Sequence, residues 1–408
     1  MSRTIKALLL SLSVALVLFT VAGGLRVRAA EDDGAYRQLG VYSEVLSRIR
    51  TEYVEEPNIP QVTNGALHGL LESLDADSSY LTAAEYKDYE KHQSEAKGQF
   101  GATVSKRFGY AAVVSIIPGG AADKGGVQNG DIFEAIEGKS TREMSLAEVH
   151  QALDGPVGSK VNVSVVRAGK AEPVKLTITR DVEKIPPASE KILQSNIGYI
   201  KVDALPKGKA QEIAAKIKAA QEQGAKKLIL DLRDTSDGDE DEGVAVANLF
   251  LDHGTITYLQ GQKYPRETFT ADAKKAVTNL PLVVLVNRGT GGPAEIVASA
   301  ILENARGDVV GDKTFGMGSI QKVIPMQDGS ALILSIAKYY TPNGKAIQDD
   351  AVTPNITVAD NNDDFVLPDD DDNNDAATQP EKKPKTVEND QQLQRAIQVL
   401  ENKDKKAA

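Results

Sequence analysis

From Ile197 onward, short apolar runs alternate with stretches of helical period, and this alternation restricts the fold more than any other feature of the chain. A strand-like run at Ile197–Val202 leads into a helical stretch from about Lys209 to Gln221, and the run Lys227–Leu232 follows. Leu282–Val286 reads as a buried strand, Ala294–Leu302 as a helix, and Val309-Val310 and Ala331–Ile336 as further strands. Strands separated by helices imply βα crossovers, so the expectation is a mixed sheet covered by helices.

Two other textures precede that region. From Tyr36 to about Lys97 the apolar spacing is helical, with Leu39, Val45 and Ile49 on one repeat, Ala66, Leu70 and Leu74 on another, and Pro57 and Pro60 between them. Between Gly98 and Arg180 the runs are short and β-type: Ala111–Ile117, Ile132–Ile136, Val161–Val166 and Val174–Thr179. A helix from Ser145 to Leu153 interrupts them, begun by a serine N-cap. Between Asp360 and Asp375 the chain is dominated by Asp and Asn and reads as a solvated linker, and Val387–Glu401 offers a last amphipathic helix with Leu393, Ile397 and Leu400 on one face.

Composition narrows the chemistry. With 408 residues and 41% apolar content the chain can bury several cores. It has no Cys, which excludes disulfides, thiolate catalysis and thiolate zinc sites. Arg3 and Lys6, the apolar run Ala7–Ala22 and the small residues around Val27-Arg28-Ala29 form an export signal, with an uncleaved membrane anchor as the alternative. Removing it takes away four basic residues and no acidic one, and the formal net charge moves from -11 to about -15. That balance argues against nucleic acid or an anionic membrane surface as a partner.

Several segments resemble one family. Asn287-Arg-Gly-Thr-Gly-Gly-Pro-Ala-Glu-Ile-Val-Ala-Ser and Gly311-Asp-Lys-Thr-Phe-Gly-Met-Gly-Ser-Ile-Gln are similar to the core of the carboxyl-terminal processing proteases. The family usually reads Ser-Ala-Ser-Glu-Ile, then Thr-Phe-Gly-Lys-Gly-Ser/Thr-Val-Gln, with the first Ser as nucleophile and the Lys as general base. "GGAADKGGVQNGDIFEAIEG" resembles the centre of a bacterial, circularly permuted PDZ domain, and Leu74-Asp-Ala-Asp-Ser-Ser-Tyr-Leu81 is similar to the family segment Leu-Asp-Pro-His-Ser-Tyr-Leu. The resemblance implies an α/β multidomain chain: signal 1–29, amino-terminal helices 30–97, PDZ domain 98–182, crotonase-like protease core 183–358, acidic linker 359–385 and a carboxyl-terminal helix 386–408.

It also implies a Ser/Lys dyad that this chain lacks. Counting three positions back from Glu295 places Gly292 where the nucleophile belongs, and twenty-five positions on, between two glycines, stands Met317. Gln321 matches the Gln that orients the family's Lys, and Gly238 matches the second Gly of its oxyanion loop. Asp237 replaces the first, and the acidic run to Glu242 reads as solvated charge that would oppose a developing oxyanion. Relocated chemistry would have to come from Thr290 or Ser319 with Lys313 or Lys322, while His68, His92, His150 and His253 are scattered and give no local triad or metal cluster.

For the PDZ segment, the resemblance places a carboxylate-binding loop at Phe100, Gly101, Ala102, Thr103 and Val104, with Leu146, His150 and Leu153 as pocket residues. The expected function is an exported pseudoprotease that binds the carboxyl termini of extracytoplasmic proteins, as adaptor or regulator beside an active protease. The alternative is an active serine endopeptidase with relocated groups. No cofactor or metal is expected, membrane contact would come only through an uncleaved amino-terminal segment, and the terminal helices make a homo-oligomer an open alternative.

Overall fold

The computed structural model describes residues 36–94, 98–107, 109–359 and 389–407; the signal segment and nearly all of the acidic linker lie outside them. Two compact units divide at Leu67 and His68. In the first, a helix spans residues 36–52; the helix Ile59–Glu72, which begins after Pro57, contains the division.

The helical reading up to about Lys97 needs correction after the second helix. Asp75 accepts from the backbone N–H groups of Asp77 (3.0 Å) and Ser78 (2.7 Å), which turns the chain. It then forms a buried strand, Ser79–Leu81, antiparallel to Ala331–Ile333. Thr82 and Glu85 cap the following helix, Ala83–Ser94, reciprocally.

The β-type segment folds around its own core. Strands Ala102–Arg107, Tyr110–Ile116, Ile132–Ile136, Lys160–Val166 and Val174–Thr179 follow one another across a sheet. Phe100, Phe133, Val149, Leu153, Val161 and Ile178 pack together beneath it. Ser145 caps the helix Leu146–Leu153 in a capping box with Glu148, which accepts from the Ser145 N–H at 2.7 Å.

The alternating segment forms a six-stranded sheet. Ile356–Thr357, Asp308–Gly311, Leu282–Val286, Lys227–Asp231 and Ile197–Lys201 run parallel, and Ser189–Leu193 adds an antiparallel edge. Side chains alternate across it as the period of a strand requires. Leu228, Leu230, Leu282, Val284 and Val286 pack with residues of the helices Lys209–Glu222, Glu240–Asn248 and Pro293–Glu303. Ile229, Val283, Leu285 and Val310 face the other way, onto Leu393, Ala396, Ile397 and Leu400 of the helix Gln391–Ala407. Each of those larger side chains contributes roughly 1.5–3 kcal/mol on burial.

A buried ion network fixes that last helix. Arg233 donates to Asp231 (2.9 Å), Asp390 (2.9 Å) and Gln392 (3.2 Å), and Tyr199 donates to Asp231 at 2.7 Å. Burial works against the ionised Asp231, but Arg233 and Lys201 outweigh it and hold the carboxyl well below the usual range.

A second sheet joins Ala331–Tyr340 to Ser79–Leu81, Thr255–Gln260, Glu267–Thr270 and Ser319–Pro325. The last three strands and the helix Glu240–Asn248 are additions to the sequence reading.

Candidate functional site: an elbow and loop beside a peptide groove

Strand Leu282–Val286 ends in a turn, and the chain enters the helix Pro293–Glu303 at Gly292. Gly292 has φ 51° and ψ -121°, the kind of sharp strand-to-helix corner on which hydrolases raise a nucleophile. A Cβ built there meets only the Ser236 carbonyl oxygen, at 3.4 Å, so a serine fits the space. The glycine itself offers no hydroxyl.

Met317 comes to the same corner. Its Sδ lies 3.2 Å from where a Cβ on Gly291 would stand. What brings the two loops together is Glu295, which is fully buried. Its carboxylate accepts from the N–H of Gly292 (3.0 Å), Gly316 (2.8 Å) and Met317 (2.8 Å), and from the Thr314 hydroxyl. Burial pushes its pKa up to about 7, while those four donors pull it back toward ionisation. One carboxylate therefore clamps both positions that the family resemblance assigns to the dyad.

Gly238 has φ 140°, and a Cβ there would stand 2.3 Å from the Leu205 carbonyl oxygen, so only glycine fits. The Asp237 carboxylate draws on the Gly238 N–H. The acidic run that follows keeps Asp239 and Asp241 exposed, and its second half begins a helix that the sequence reading did not include. Asp239 caps the helix Glu240–Asn248 by accepting from the Asp241 N–H (3.0 Å), and Glu240, Asp241 and Glu242 occupy its first turn, where the helix dipole favours them. Glu242 also accepts from the Ala210 N–H at 2.5 Å. A further feature escaped the sequence reading although its signal was plain. The residue after Gly292 is Pro293, and an elbow commonly uses the N–H at that position for the oxyanion, which proline lacks.

The relocation candidates are engaged in structural bonds. Thr290 is fully buried and donates to the Leu232 carbonyl at 2.7 Å. Ser319 donates to Asp77 (2.9 Å) and accepts from Gln321 Nε2 (2.7 Å), so Gln321 belongs to a polar chain that runs to Asp77. Lys313 and Lys322 are exposed.

A cleft of the PDZ segment lies against this corner. Ser115, on the strand Tyr110–Ile116, hydrogen-bonds Ser236 at 2.5 Å. Phe100, Gly101, Ala102, Thr103, His150 and Leu153 line one cleft, which Asp237 of the core also borders. Two expected residues are not there. Val104 points into the small core, and Leu146 lines a separate cleft with Asp77, Tyr89, His92 and Gln321. His150 borders both clefts, and the surrounding protein lowers its pKa by desolvation against the pull of Asp154 and Asp77. Among the described residues no group of three or more His, Asp or Glu could hold a metal ion, and no helix is long and apolar enough to cross a membrane.

Residues 196–358 match peptidase family S41, and residues 113–167 match a PDZ domain. The carboxy-terminal-processing protease of Bartonella bacilliformis is 32% identical over 333 residues, covering 80% of this chain and 76% of that protein. Carboxy-terminal processing protease CtpA of Bacillus subtilis is 30% identical over 316 residues, covering 77% and 67%. Among solved structures, the photosystem II D1 C-terminal processing protease shares the fold with a TM-score of 0.64 at 24% identity, over 78% of this chain and 92% of that one. With a PDZ module set against a βα core whose elbow and loop meet through Glu295, the chain belongs to the carboxyl-terminal processing protease family.

Proposed function

We propose that this chain is an exported, non-cutting member of its family that binds the carboxyl termini of extracytoplasmic proteins and serves as adaptor or regulator for proteolysis. The observation that carries this reading is a fully assembled corner, clamped by Glu295, in which Gly292 and Met317 supply neither hydroxyl nor amine. A Ser-Lys mechanism needs both, because the hydroxyl proton must pass to a neutral amine. Pro293 and the Asp237 carboxylate further deprive the corner of oxyanion stabilisation. Peptide binding by strand addition needs none of these groups.

Restoration tests the reading. Purified natural chain is expected to leave an unstructured protein intact, while the triple variant Gly292→Ser, Pro293→Ala, Met317→Lys is expected to cut it. Cleavage by the natural chain that disappears on replacing Thr290 or Ser319 would establish relocated chemistry and sink the proposal.

A further inference from the structure

A groove built to receive a carboxylate is here surrounded by carboxylates. Asp154, the residue that ends the helix Leu146–Leu153, accepts from the Phe100 backbone N–H at 3.2 Å. That amide opens the loop at which the terminal carboxylate of a bound peptide would sit, so an internal carboxylate already draws on one of its donors. Glu183 and Asp237 border the same cleft, from the segment leaving the PDZ module and from the core loop. Burial, with Asp237 and Asp154 adding to it, raises the Glu183 pKa to about 7, which places the three carboxylates within electrostatic reach of one another.

The cations nearby offset them only in part: Arg180 attracts Asp154, but its hydrogen bonds go to backbone carbonyls. Arg180 lies behind the helix end with its guanidinium turned to the carbonyls of Leu153 (2.7 Å) and Ala152 (2.8 Å). Lys124 pairs with Asp181 at 3.6 Å, and desolvation favours neutral His150. A peptide ending in a bare α-carboxylate would add a further acidic group to this cleft. A basic side chain near the end of the same peptide would meet the acidic wall and cancel that cost.

Resting on the terminus-binding reading above, we propose that the groove selects carboxyl termini carrying Lys or Arg within the last few residues, and that Asp154, Glu183 and Asp237 determine that preference. The test uses the full chain and three labelled peptides measured by fluorescence anisotropy at low salt: one with two lysines near a free carboxyl end, the same peptide with glutamates, and the lysine peptide with an amidated end. The lysine peptide is expected to bind about tenfold more tightly than the glutamate peptide, an advantage that shrinks as salt is raised. In Asp154→Asn combined with Glu183→Gln, changes that keep the shape and the acceptor toward Phe100, the ratio is expected to fall to about twofold. Amidation is expected to weaken binding less in the natural chain than in that variant, where the terminal carboxylate has lost its competitor. Equal binding of the lysine and glutamate peptides by the natural chain would overturn the proposal and leave terminus binding standing. If no peptide binds the natural chain or the variant, terminus binding itself falls.

Discussion

The elbow and the cleft stand side by side and differ in what the chain supplies there. At the elbow the backbone makes a sharp corner, down to the positive φ of Gly292 and the room for a Cβ, while Gly292 and Met317 supply neither hydroxyl nor amine. In the cleft, Phe100 and Leu153 form part of the lining, and Asp154, Glu183 and Asp237 stand around them. Shape at the first site is held by a group that takes no part in the family's dyad, Glu295, so the dyad can change without collapse. At the second site, charge is set by residues outside the binding loop, so preference can change while the loop persists.

Several measurements would break or sharpen that contrast. The largest effect is expected from Arg233→Ala, which leaves Asp231 and Asp390 buried without their counter-ion and should cost about 3–5 kcal/mol in chemical denaturation. A much smaller loss would mean that the scaffold beneath the elbow is not held by this network.

Glu295 gives the next effect, through pH. Its folded pKa of about 7 lies above that of the unfolded chain, so the native state holds a proton that the unfolded state has released. Stability should therefore decline as pH rises from about 4.5 to about 7, by up to about 3 kcal/mol, and Glu295→Gln should flatten that slope. An unchanged slope would show that the clamp is ionised throughout, with its four donors outweighing burial.

Gly243→Ala places a Cβ 2.5 Å from the Pro293 carbonyl oxygen and should cost about 1–3 kcal/mol by pushing the elbow helix aside, with groove binding intact. The smallest effect belongs to Ser319→Ala, about 1 kcal/mol from the lost bonds to Asp77 and Gln321, with no change in peptide affinity. Altered affinity in either variant would mean that elbow and groove are coupled.

Much of the fold was legible because strands and helices left plain patterns: Leu228–Leu230 and Leu282–Val286 are continuous apolar runs, and Ser145 announces its helix. The strand Ser79–Leu81 was not, since three residues carry no period and their burial comes from Ile333 and its neighbours, far along the chain. The helix Glu240–Asn248 was obscured because a run of carboxylates suits a solvated loop and a helix N-terminus equally until the cap is seen. At the site, the spacing from Glu295 located Gly292 and Met317, but not the clamp that joins them, which depends on backbone N–H groups common to every sequence. Leu146 and Leu153 share one helix in sequence, and only the packing separates the cleft of one from the cleft of the other.

The helix Gln391–Ala407 bears on how the molecule is made. Ile197, Tyr199, Ile229, Val283, Leu285 and Val310 form a sheet face whose cover, Leu393 to Leu400, is synthesised after every strand it protects. During translation the sheet can close one side while the other stays bare, a sticky surface awaiting its lid. Completion of this protein is thus a late event, and a ribosome stalled before residue 391 would release a chain primed to aggregate.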